Sequence, residues 1–169
     1  MITATILGRG NENEAHRLTE LLDQHATNTD RVALTAVADS KYGTNENLIE
    51  CYDRGVRLHT RTLRDVQQKR TKNKGIFPED LFDYDSETDT YVCPAGERLK
   101  RRRRRKDRSA RDYAAPKKIY DACELRPQCT TSSTGRTIKR HDRADVIESM
   151  RQLTRTAESK SDVSVYYRD

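Results

Sequence analysis

Three sets of side chains in this chain could do chemistry. Asp39 closes the apolar, β-rich run RVALTAVA at residues 31–38, and a carboxylate at the end of a buried strand stands where α/β sheets hold their ligands. Such a group is a good oxygen ligand for a hard cation. It is equally the kind of polar residue that turns a chain toward a helix, and residue type alone leaves both readings open. Cys93, Cys123 and Cys129 stand beside turn residues, in Cys93-Pro94-Ala95-Gly96 and in the segment CELRPQC, within a region poor in apolar residues. A Zn²⁺ ion would supply folding free energy there. Neither cysteine pair has the short spacing of a zinc knuckle, and a fourth ligand would have to come from Cys51, His59 or His141, all remote in sequence, so free thiols are the competing reading. The third set is the unbroken basic run Lys100, Arg101, Arg102, Arg103, Arg104, Arg105 and Lys106, which can neutralise several phosphates of a nucleic acid. Its alternative is a solvated loop. His16 and His25 fall on or beside an amphipathic helix and read as ordinary surface residues.

These groups need elements to position them. Residues 1–7 (MITATIL) alternate with period 2 and are bounded by Gly8 and Gly10, which predicts a strand. From Asn13, the residues Ala15, Leu18, Leu21, Leu22 and Ala26 recur at helical spacing. Residues 31–38 are too short for a helix and predict a buried strand that ends at Asp39. Thr44 can cap a second helix through Leu48, Ile49 and Tyr52 that closes at Arg54-Gly55, and residues 56–60 predict a further strand. Strand, helix, strand, helix, strand implies parallel crossovers and an α/β sheet. Residues 61–75 read as a solvated linker or an exposed helix, and the core is expected to stop there. Residues 82–85 and 90–93 flank a turn and predict a hairpin. Val146, Ile147, Met150 and Leu153 predict a helix over 145–157.

Hydrophobic residues are 33% and charged residues 36% of the 169, with no Trp and 2 Phe. Ile, Leu, Val and Phe together are only 29 residues, so a small core is expected, concentrated in the first 60 residues. The net charge is +6, yet residues 97–119 carry twelve Lys/Arg against three Asp/Glu, and the basic character belongs to that one segment. No run of about 20 apolar residues predicts a membrane span, and no signal peptide follows Met1. A cytoplasmic chain with reduced cysteines is expected. The absence of a phosphate-cradling Gly loop, a nucleophile-elbow Ser or a His-Glu zinc helix speaks against nucleotide hydrolase, esterase and metalloprotease activities.

Residues 37–48, Val37-Ala38-Asp39-Ser40-Lys41-Tyr42-Gly43-Thr44-Asn45-Glu46-Asn47-Leu48, resemble the second-aspartate region of bacterial insertion-sequence DDE transposases, which carries an Ala-Asp pair and a Glu-Asn-Leu. Residues 82–85, 89–96 and 123–129 resemble the cysteine-containing insertion of one such group, in which a helix beginning near an Arg-His pair, here Arg140-His141, returns to the core. The resemblance implies a partial RNase H-like core at 1–60, a basic, loop-rich insertion at 61–140 and a returning helix at 141–169. It implies DNA as partner, a nucleoid-associated location, assembly into a transposase oligomer and Mg²⁺ bound by three acidic residues, of which Asp39 matches the middle one. The other two have no counterpart here, so an internal or decayed piece, inactive alone, is expected. Where the family carries a further cysteine ahead of Cys123, this chain has Tyr120. The competing reading is a small nucleic-acid-binding module without catalysis.

Overall fold

The computed structural model describes residues 2–10, 12–102 and 109–166. The fold is mixed α and β, and the chain divides into two compact units, Met1–Val66 with Asp145–Asp169, and Gln67–Ala144.

In the first unit, Asn13 caps a short 3-10 turn at Glu14–Arg17 through a bond from Ala15 N (3.2 Å), and the turn feeds α1, Leu18–Thr29. The strand β1, Thr35–Val37, pairs in parallel with β2, Arg57–His59, in the register Thr35↔Arg57, Ala36↔Leu58 and Val37↔His59. Between them runs α2, Asn45–Asp53. The crossover helix α2 turns Leu48 and Cys51 inward, onto Leu58, Val56, Leu18 and Ala38. Ile147 and Met150 of α6, Ala144–Thr154, complete this aliphatic core. Arg151 on the same helix is fully buried, and its charge is met by Glu148 (2.8 Å) and Asp65 (3.1 Å). A final helix, α7, Ala157–Tyr166, packs on β1 and β2.

The strand expected at residues 1–7 does not form among the described residues. Thr5 N instead donates to Gln24 Oε1 (2.7 Å), and Asn28 Nδ2 donates to the Thr3 carbonyl (2.8 Å). β-branched alternation makes a strand only where a neighbouring edge takes up the backbone groups, and here side chains of α1 take them. The outer edge of β1 consequently pairs with no strand among the described residues.

The helix α3, Leu63–Asn73, carries the chain from the first unit to the second. The second unit is not the loop-rich insertion that was expected. It is a five-stranded antiparallel sheet in the order β3 (Asp83–Asp85), β4 (Thr90–Val92), β5 (Arg98–Arg101), β6 (Ala110–Ala114) and β7 (Thr137–His141). Two short helices, α4 (Lys117–Asp121) and α5 (Arg126–Cys129), lie between β6 and β7. The expected hairpin is β3–β4. Its core also runs well past residue 60, because tyrosines stand in for the missing aliphatics. Phe82, Tyr91, Leu99, Tyr113 and Ile138 are buried together, and the rings of Tyr84, Tyr91 and Tyr113 lie 5.1 to 6.2 Å apart, tilted or edge to face, as aromatic quadrupoles prefer. Asp89 ties the cluster: its Oδ1 accepts from the hydroxyls of Tyr113 (2.6 Å) and Tyr84 (2.9 Å), and its Oδ2 pairs with Arg101 (3.1 Å).

Candidate functional site

Asp39 lies two residues past the end of β1, half-buried, at the carboxyl end of the parallel pair. Its carbonyl accepts from the Thr60 hydroxyl (2.6 Å) just beyond β2. Its carboxylate Oδ1 accepts from Lys41 N (2.7 Å) and so caps the 3-10 turn Ser40–Tyr42. The side chain therefore has a turn-making role, one of the two readings the residue type allowed, and stands at a strand end at the same time.

The residues that follow Asp39 hold this loop. A Cβ on Gly43 would collide with the Arg61 carbonyl oxygen and stand 2.7 Å from Thr62 Cα. Only glycine lets the two loops at the carboxyl ends of β1 and β2 approach so closely, and the approach is fastened by Leu63 N donating to the Gly43 carbonyl (2.9 Å). Thr44 Oγ1 accepts from Asn47 N (3.1 Å) as the N-cap of α2. Asn47 is buried and donates through Nδ2 to the carbonyls of Tyr42 (2.9 Å) and Ala15 (3.0 Å). Leu48 is fully buried. Gly43, Thr44, Asn47 and Leu48 thus act as the scaffold of the Asp39 loop.

Cys93, Cys123 and Cys129 line one cavity of the second unit, with Phe82, Leu99 and Arg136 among its other walls. Their sulfurs do not converge to within 4.8 Å of one another; among the described residues, only His59, Glu158 and Asp162 form a ligand group that tight. Burial also pushes the Cys129 thiol up, with Cys93 and Cys123 adding to the effect. The suggested fourth ligands are engaged elsewhere. Cys51 belongs to the aliphatic core of the first unit, its thiol pushed up to about 11 by burial. His59 Nδ1 bonds to Asp162 Oδ2 (2.7 Å), and His141 Nδ1 accepts from Arg143 N (3.0 Å). The arrangement does not fit a closed zinc site. Tyr120 covers Gly135, where a Cβ would come within 2.7 Å of the ring.

Of the basic run, Lys100 and Arg101 end β5, Arg102 follows, and all three are exposed. Arg103, Arg104, Arg105 and Lys106 lie outside the described residues. Arg101, though exposed, is paired with Asp89. His25 Nδ1 is bonded to Thr3 Oγ1 (2.9 Å) and His16 Nε2 lies 3.5 Å from Asn13 Nδ2, as surface residues do.

The convergence of His59 with Glu158 and Asp162 was missed from sequence. The sequence offers His59 only as a partner for the cysteines, and it carries no apolar spacing that announces α7, which holds both carboxylates. No family model, curated protein or solved structure matches the chain.

Proposed function

We propose that this chain is a DNA-contacting segment of a DDE-type transposase, with the β1–α2–β2 part as the remnant of an RNase H-like core, and that on its own it does not perform strand transfer. The observation that carries the reading is Asp39 at the carboxyl end of β1, with the residues that resemble the transposase motif serving to build and fasten its loop. Two-cation cleavage needs several carboxylates sharing two metal ions about 3.5 to 4 Å apart. Asp39 belongs to no group of three close ligands among the described residues, so the residues present do not fit an Mg²⁺ pair. Purified protein is expected to leave supercoiled plasmid intact with Mg²⁺ or Mn²⁺. Metal-dependent nicking that disappears in Asp39→Ala would overturn the inactive reading.

A second reading, a non-catalytic nucleic-acid-binding module, is favoured by the exposed Lys100 and Arg102 at the end of β5. Binding under either reading is electrostatic, each neutralised phosphate contributing a slope of about −0.9 in log K against log salt on duplex DNA. Replacing Arg102, Arg103, Arg104, Arg105 and Lys106 with Ser, and sparing Arg101 for its bond to Asp89, should flatten that slope by several units. Equal slopes for the two proteins would move the contact elsewhere.

A further inference from the structure

We propose that His59, Glu158 and Asp162 form a binding site for one divalent transition-metal ion. The site is independent of Asp39 and of the cysteines. One ring nitrogen of His59 and one carboxylate oxygen from each acid all lie within 4.8 Å of one another. Ligands held at about 2.0 to 2.2 Å from a single cation are at most about 4.4 Å apart, so a small side-chain adjustment closes the site. The backbone already fixes the positions. His59 ends β2, fully enclosed in the first unit at 1% exposure. Glu158 and Asp162 are four residues apart on α7, on one side of the helix, and α7 packs against β2.

The charge pattern favours a cation. Two carboxylates converge on one imidazole, whose Nδ1 is bonded to Asp162 Oδ2 (2.7 Å) so that a cation would replace that proton, and the Arg57 guanidinium reaches Glu158 only at 3.5 Å. Both acids remain partly exposed, at 61% and 40% of their side chains, which leaves a path for the ion and for the water that would complete its shell. Ser159, between the two acids in sequence, is fully buried and its hydroxyl has no hydrogen-bond partner among the described residues. One nitrogen and two carboxylate donors suit Mn²⁺, Fe²⁺ or Zn²⁺ better than the purely oxygen-seeking Mg²⁺ or Ca²⁺, and two carboxylates with a neutral imidazole balance the charge of a divalent ion.

Mn²⁺ is the probe, because thiolates select softer metals and the cysteine cavity should not compete for it. Titration of the whole chain, followed by loss of the free Mn²⁺ electron-paramagnetic-resonance signal, should give one bound ion per chain. Pulsed measurements on the bound ion should detect coupling to a single imidazole nitrogen. The variant carrying Glu158→Gln and Asp162→Asn changes two partly exposed side chains, and should weaken binding at least 100-fold with an unchanged circular dichroism spectrum, while Asp39→Asn should bind as the wild type does. The proposal is overturned by no Mn²⁺ binding, by binding without nitrogen coupling, by equal affinity in the double variant, or by loss of binding in Asp39→Asn. Because the nitrogen coupling is read on the wild type, it decides the matter even if the double variant fails to fold.

Discussion

The two units solve the same shortage of apolar residues in opposite ways. The first gathers aliphatic side chains from helices and a two-stranded parallel pair around Leu48 and Leu58, and buries one cation, Arg151, against Asp65 and Glu148. The second has a single buried aliphatic on each of two strands, Leu99 on β5 and Ile138 on β7, and makes its core from tyrosines whose hydroxyls still need partners. Asp89 supplies them. A core of aliphatics fails by leaving a cavity, whereas a core of tyrosines fails also by stranding a polar group.

The largest effect should come from Tyr113→Ala, which empties a fully buried aromatic site and should cost about 4 kcal/mol, read as lost amide protection in β4 to β6. Leu48→Ala should cost about 3 kcal/mol, read in β1 and β2. Equal loss of protection in both sets of amides, for either variant, would break the comparison. Asp89→Ala strands the Tyr113 hydroxyl and should cost about 2 kcal/mol. Acid should have a parallel effect. The bond from Tyr113 holds the Asp89 carboxyl below its ordinary value, and the ion pair with Arg98 holds Asp85 at about 2. A carboxyl whose folded value is depressed stabilises the fold above its unfolded pKa and loses that contribution as pH falls through the folded one. The near-ultraviolet tyrosine signal should therefore be constant above about pH 5 and decline from about pH 4 toward 2, and Asp85→Asn should remove part of that dependence. A decline that begins at neutral pH would count against this network. The smallest effect should be Thr44→Ala, which removes the cap of α2 for about 1 kcal/mol, measurable as a shift in the thermal midpoint.

What could be read from sequence follows the same division. Helices α1 and α2 and strands β1 and β2 carry helical spacing or a compact apolar run, and β3–β4 carries a turn between two aromatic-bearing segments, so all were legible. Strands β5 and β7 were not. Arg98-Leu99-Lys100-Arg101 and Thr137-Ile138-Lys139-Arg140 each hold one aliphatic among cations and polar groups, and only pairing with neighbours makes them strands. Even the cations are absorbed, Arg140 stacking 3.8 Å from the Tyr84 ring. Residues 1–7 failed in the reverse direction, with strand composition but with Thr5 N and the Thr3 carbonyl bonded to Gln24 and Asn28 of α1. Of the candidate site, Asp39 was visible because it ends an apolar run. The partnership of His59 with Asp162 spans 103 positions in sequence and needed a helix whose apolar content is too slight to announce it.

The outer edge of β1, unpaired among the described residues, has a consequence for how the protein behaves in bulk. Thr35–Val37 offers backbone donors and acceptors on that side, and Val32, Leu34 and Val37 around it are 69%, 73% and 38% exposed. Soluble proteins usually guard such a border with lysine, proline or a bulge, and residues 32–38 contain none of the charged or proline guards. The border is a template on which a further strand can grow the sheet, from another molecule as readily as from the same one. Self-association should therefore rise with concentration and be suppressed by Val37→Lys, with light scattering as the readout.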